Sequence, residues 1–162
     1  MRELNVTLPS NLTFVPLDFE QQTVAEGLRA GGHRPELPTF FSWLGVTMFL
    51  TEAAVFETLR YVASLAPGSE IVFEYGIVDS LLNEEDHQLV AVHKALVAAR
   101  GEPFLSQFEP VILAARVKEL GFAQVWDFGA EEANARYFAG RRDGLRTLPH
   151  FYLMKARVGS GS

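Results

Sequence analysis

The sequence contains no cysteine, which excludes disulfides, thiolate metal sites and a cysteine nucleophile, and fits a reducing compartment. It has no run of the roughly 18 apolar residues that a membrane-spanning helix needs, and Met1-Arg2-Glu3-Leu4 opens no signal-peptide core. A soluble, cytoplasmic protein with no membrane partner is therefore expected. Positive charge is the minority, 14 Lys+Arg against 20 Asp+Glu for a formal net charge of −6, which argues against a broad surface for nucleic acid or an anionic membrane. Gly-x-Ser-x-Gly, a phosphate loop and Gly-x-Gly-x-x-Gly are all missing, so neither a nucleophile elbow nor a phosphate cradle has a candidate. His87 and His93 are six apart, off the spacing that puts two ligands on one helical face, so no metal site is expected.

What is present is a chain of 162 residues, 48% apolar and 21% charged with a mean hydropathy of +0.09, enough for one domain over residues 1–158 with a real core. Residues 159–162, Gly-Ser-Gly-Ser, read as a flexible tail. The apolar content is slightly above what the length requires, which suggests buried strands or an apolar patch.

The chain alternates between strand and helix patterns. Residues 11–19 have strand composition, with Pro16 confined to a place where no ladder bond is needed. Residues 20–30 have helical spacing, stopped by Gly31-Gly32. Residues 39–50 are almost continuously apolar, as expected of a strand covered on both faces, with Gly45 ending the strand proper. Thr51 is a good N-cap for a helix carrying Val55, Leu59 and Val62, which Pro67-Gly68 stops, and residues 70–75 return to strand. A helix within residues 79–100 places Leu89, Val92 and Leu96 on one face, with Gly101 just past its end. A helix over 109–120 ended by Gly121, a strand over 123–128, a short helix over 131–138 and a last strand over 150–158 complete the pattern.

This alternation predicts an α/β fold with a doubly wound sheet. Only a short helix and an Arg-rich loop separate the last two strands, so the sheet is expected to be mostly parallel with an antiparallel final strand. In such sheets ligands bind beyond the carboxyl ends of the strands, which directs attention to Asp18 and Phe19, to residues 42–45, to residues 74–77 and to the region of Asp127. Asp18 can accept a hydrogen bond from a ligand amine and Phe19 can stack on a flat ring, although Asp18 suits a helix cap equally well. Glu74 and Tyr75 are candidates to orient a substrate or accept its proton. Arg141, Arg142 and Arg146 offer an anion-binding loop or a solvated one.

Three strings carry a family resemblance: Phe14-Val15-Pro16-Leu17-Asp18-Phe19-Glu20, residues 38–51 (Pro-Thr-Phe-Phe-Ser-Trp-Leu-Gly-Val-Thr-Met-Phe-Leu-Thr), and Pro67-Gly68-Ser69-Glu70-Ile71-Val72-Phe73. Over residues 3–158 the chain resembles the bacterial class I S-adenosylmethionine-dependent methyltransferases related to leucine carboxyl methyltransferase. The resemblance implies a partial Rossmann-like sheet and S-adenosyl-L-methionine as cofactor, contacted by Asp18 and Phe19 and by Trp43 and Leu44. Leu44 falls where that family usually has an acidic residue. It also implies methyl transfer to a hydroxyl or carboxylate of a small molecule, with Glu74 and Tyr75 as substrate contacts.

The family's first two strands, glycine-rich loop and ribose-binding acid have no counterpart before Asn11, so the chain resembles the C-terminal half of such an enzyme. That reading expects an exposed apolar edge at residues 11–19 or 39–44, covered by a homodimer or a complementing chain. It also expects cofactor binding and activity to be impaired in the chain alone. The alternative expectation is a non-catalytic α/β scaffold that acts through association.

Overall fold

In the computed structural model, residues 8–17 and 22–160 are described. They fall into two compact units, Met1–Arg34 and Pro35–Ser162. In the first, a helix α1 (Val24–Ala30) begins later than its periodicity predicts. The cause is a capping box: the Thr23 hydroxyl accepts from the Glu26 N–H, and the Glu26 carboxylate accepts from the Thr23 N–H at 2.9 Å. Residues 12–17, expected as part of a strand, make no ladder, because a strand needs a neighbour and none of the described residues pairs with them. They pack instead on α1. A Cβ at Gly27 would lie 2.6 Å from Leu17 Cδ1, so the glycine is what lets segment and helix approach.

The second unit is built on four strands, β1 (Phe40–Trp43), β2 (Glu70–Gly76), β3 (Phe122–Phe128) and β4 (Phe151–Val158), in the order β1-β2-β4-β3. β1 runs parallel to β2, while β4 lies between β2 and β3 and is antiparallel to both. The antiparallel final strand expected from the short 129–149 connection is therefore present, and the α/β class with it. Helices α2 (Glu52–Ala63), α3 (Glu84–Ala98), α4 (Pro110–Glu119) and the short α5 (Ala130–Ala133) connect the strands. Caps explain their starts: Thr51, Asn83 and Glu109 each accept a backbone N–H at the third helical position.

One face of the sheet holds the core. Ile71, Phe73 and Tyr75 of β2 and Met154 and Ala156 of β4 cluster with Val55, Phe56, Leu59 and Val62 of α2 and Leu113 and Val117 of α4. The alternate positions carry a charged cluster beside apolar residues such as Val72 and Leu153: Glu70 bridges Lys155 at 3.0 Å and Arg157 at 3.7 Å, and Lys155 lies over the Trp126 ring. The expectation that β1 is covered on both faces is not met, since its residues alternate between exposed and half-buried and Phe40 is 62% exposed. Among the described residues β1 pairs with β2 alone, which makes it an outer strand with an apolar residue on its open side. No helix among the described residues is long and apolar enough to cross a membrane.

Leu59 is fully buried at the centre of α2. Leu59→Ala is expected to cost about 2–5 kcal/mol in urea unfolding, whereas Lys155→Ala, on the solvated face, is expected to cost at most about 1 kcal/mol.

Candidate functional site

The carboxyl ends of β1 and β2 are tied together by backbone and side chain. Gly45, at φ +71°, lets the chain turn sharply after Leu44, and its N–H donates to Glu74 Oε2 at 2.9 Å. The Thr47 hydroxyl donates to the Glu74 carbonyl, and Ser106 Oγ donates to the Thr47 carbonyl at 2.9 Å. This stitching buries Thr47 and Met48 and fixes the loop after β1 on the loop before α4. Trp43 is turned toward the core, its ring 6.3 Å from Phe73, whereas Leu44 is 52% exposed at the strand end. Asp18 and Phe19 lie outside the described residues.

Glu74 and Tyr75 point to opposite sides of the sheet, as consecutive strand residues must. Tyr75 is fully buried and its hydroxyl donates to Asp127 Oδ1 of β3 at 2.5 Å, across the intervening β4. Burial, then the bond to Asp127, pushes the Tyr75 phenol far above its ordinary range. Burial raises the Asp127 carboxyl too, opposed by the Tyr75 bond. Tyr75 is thus committed to an internal pair and is not presented to solvent. Tyr152, beside them on β4, is raised by burial and by the nearby Asp127 and Glu131.

Beyond the ends of β2 and β3 lies a cleft of about 230 Å³, lined among others by Ile77, Asn83, Asp86, Glu131, Arg146 and Tyr152. Of the three candidate arginines, Arg146 alone lines it; Arg141 is tied to Asp143, and Arg142 is exposed. Between α3 and the loop after β2, Lys94 Nζ donates to both Asp79 oxygens at 2.6 Å and to Gln107 at 3.0 Å. Burial works against the Asp79 carboxylate, but the bonds from Lys94 and Gln107 hold it below its ordinary range.

The strand-end rule points to the region of Asp127, but nothing local in the sequence marks it as the partner of Tyr75. The pairing of two histidines carries no sequence signal either. His93 and His150 meet at 3.0 Å between Nδ1 and Nε2, packed among Phe104 and Phe151. His150 is buried, its Nδ1 has no hydrogen-bond partner among the described residues, and burial, then the charges of His93 and Lys94, holds its pKa down to about 4. Among the described residues no group of three or more acidic, histidine or cysteine side chains could hold a metal ion.

Residues 1–63 match the family model of leucine carboxyl methyltransferase. The chain is 27% identical over 157 residues to YktD of Bacillus subtilis, which by name is assigned to the S-adenosyl-L-methionine-dependent methyltransferases. That match covers 96% of this chain and 51% of YktD, so the chain spans about half the length of this curated relative. Among solved structures, a DUF574 family protein from Streptomyces avermitilis aligns with a TM-score of 0.57 at 19% identity, over 83% of this chain and 49% of its own. Human N-acetylserotonin methyltransferase, solved with S-adenosylmethionine, aligns with a TM-score of 0.51 at 13% identity, over 98% and 37%. At these identities the structures speak for a shared Rossmann-like fold.

Tyr75→Phe keeps the ring and removes the bond to Asp127; it is expected to cost about 1–3 kcal/mol and to move the Asp127 carboxyl further upward, read by carbon NMR titration. His150 titrates lower in the fold than the ordinary value of about 6.5 for a free imidazole. The folded state therefore binds fewer protons in acid: stability is full above about pH 6.5 and falls by up to about 3 kcal/mol as pH drops toward 4. His150→Gln is expected to flatten that slope in denaturation measured between pH 4 and 7.

Proposed function

We propose that the chain serves methyl transfer from S-adenosyl-L-methionine to a hydroxyl or carboxylate of a small molecule, with the carboxyl edge of the sheet as the working surface. The observation that carries this is the match of residues 1–63 to the leucine carboxyl methyltransferase family, because it runs through β1 and the stitched loop behind it into α2. The fold and the relative in Bacillus subtilis support the same reading.

The described end of β1 fits the flat, apolar part of the cofactor. Leu44 stands exposed there, and nothing lies within 4 Å of where a Gly45 side chain would be, so a ring can approach the turn. Two polar groups of that turn, the Gly45 N–H and the Thr47 hydroxyl, are already bound to Glu74. Trp43 backs the shelf from the core side. When bound, the cofactor supplies an electrophilic methyl group on a sulfonium. The remaining work falls to orientation by the chain.

The cleft beyond β2 and β3 has the size of a small acceptor, with Arg146 placed to hold an anionic group. Glu74 does not line this cleft; it stands on the other face at the end of β1, where one of its oxygens holds the Gly45 N–H. Tyr75 acts as a positioning residue through Asp127 rather than by touching the acceptor. A second reading, a non-catalytic α/β scaffold, is favoured by one observation: the polar groups that tie β1 to β2 are consumed internally.

Isothermal titration with S-adenosylmethionine and S-adenosylhomocysteine separates the two. Weak but saturable binding, in the high-micromolar range and lowered about tenfold by Leu44→Lys, is the expected result. No heat at high protein concentration favours the scaffold.

A further inference from the structure

Helix α3 presents its apolar residues to the wrong side for a core helix. It docks through Val90, with His93 and Lys94 alongside, and these reach Phe104, Asp79 and His150. Leu89, Val92 and Leu96, the face that periodicity singles out, are 43%, 61% and 58% exposed. Three large apolar side chains in one helical row form a patch, not the scattered exposure of an ordinary surface.

The row has charged ends of opposite sign. Glu85 lies four residues before Leu89 at the start of α3, and Arg100 lies four residues after Leu96, just past the helix end. Read along the row, the order is acid, Leu, Val, Leu, base. Such an order is complementary to itself when a second copy is laid antiparallel: Glu85 meets Arg100 of the partner copy, Leu89 meets its Leu96, and Val92 falls near the twofold axis. A parallel copy would instead set Glu84, Glu85 and Asp86 beside their own duplicates. Antiparallel helix dipoles add to the same preference.

Both charges are available. Arg100 has no ion pair among the described residues, and the contact of Glu85 with Arg146 is long, 3.8 Å, with the Glu85 side chain 87% and the Arg146 side chain 61% exposed. We propose that this face is a homodimer interface in which two copies of the chain pair α3 antiparallel about Val92. One helical row buries less than the roughly 800 Å² per partner of a standard stable interface, so the association is expected at micromolar concentrations.

Sedimentation velocity of the full chain from about 1 to 300 μM tests this. The expected result is a concentration-dependent monomer–dimer equilibrium. Val92→Glu, which sets two carboxylates together at the axis, is expected to weaken it at least tenfold while leaving the melting temperature unchanged, because Val92 is exposed. Glu85→Lys and Arg100→Glu are each expected to weaken it several-fold, and the double swap to restore it. A monomer across the whole range, a dimer indifferent to Val92→Glu, or a double swap no better than the singles overturns the proposal.

Discussion

β4 is hydrogen-bonded along its length to β2 on one side and to β3 on the other, and it runs against both. That single insertion sets the geometry of the second unit. It holds β2 and β3 parallel to each other at a fixed separation, so that their carboxyl ends open on the same edge of the sheet. It also places Phe151 and Tyr152, at its beginning, on that edge rather than on the opposite one. The cleft, the Tyr75 to Asp127 bond and the histidine pair all lie around the start of β4. If β4 slipped by one residue, Met154 and Ala156 would leave the core for the face that carries Lys155 and Arg157.

Tying polar groups to one another stiffens the edge at the expense of freely presented chemistry. Glu74 holds the turn at Gly45 with its side chain and the Thr47 hydroxyl with its carbonyl, so β1 and β2 end in a common register. Tyr75 and Asp127 brace β2 and β3 across the strand between them. Groups locked by such bonds keep neighbouring atoms within the narrow tolerance that orientation-based catalysis demands. The residues with the most conspicuous chemistry in the sequence are therefore partly supports, while the exposed surface of the edge is supplied by Leu44 and by the loop carrying Arg146.

Local signals were readable from sequence because their causes are local. Thr51 caps α2, Gly101 and Gly121 take positive φ beyond α3 and α4, and the short connection after β3 forces an antiparallel return. α1 starts later than its periodicity predicts because Thr23 and Glu26 close a capping box inside the predicted helix, a pattern that outweighs the periodicity before it. Residues 11–19 carry strand composition, but composition reports that a segment would suit a ladder and not whether a partner is beside it. The bond from Tyr75 to Asp127 spans 52 positions and that from His93 to His150 spans 57, distances at which single-sequence patterns are silent. For α3, periodicity identified the row of Leu89, Val92 and Leu96 correctly but could not say what covers it.

The unpartnered Nδ1 of His150 has a consequence for where protons reside. One hydrogen is shared on the line between His93 Nδ1 and His150 Nε2. If His93 supplied it, His150 in its neutral form would carry its own hydrogen on Nδ1, a buried donor with nothing to receive it. If His150 supplies it, Nδ1 is left with only a lone pair, and a buried acceptor without a partner costs less than a buried donor. The pocket of Phe104 and Phe151 thereby selects a tautomer at two rings at once, placing the His150 hydrogen on Nε2 and, in the neutral pair, the His93 hydrogen on the nitrogen facing away from it.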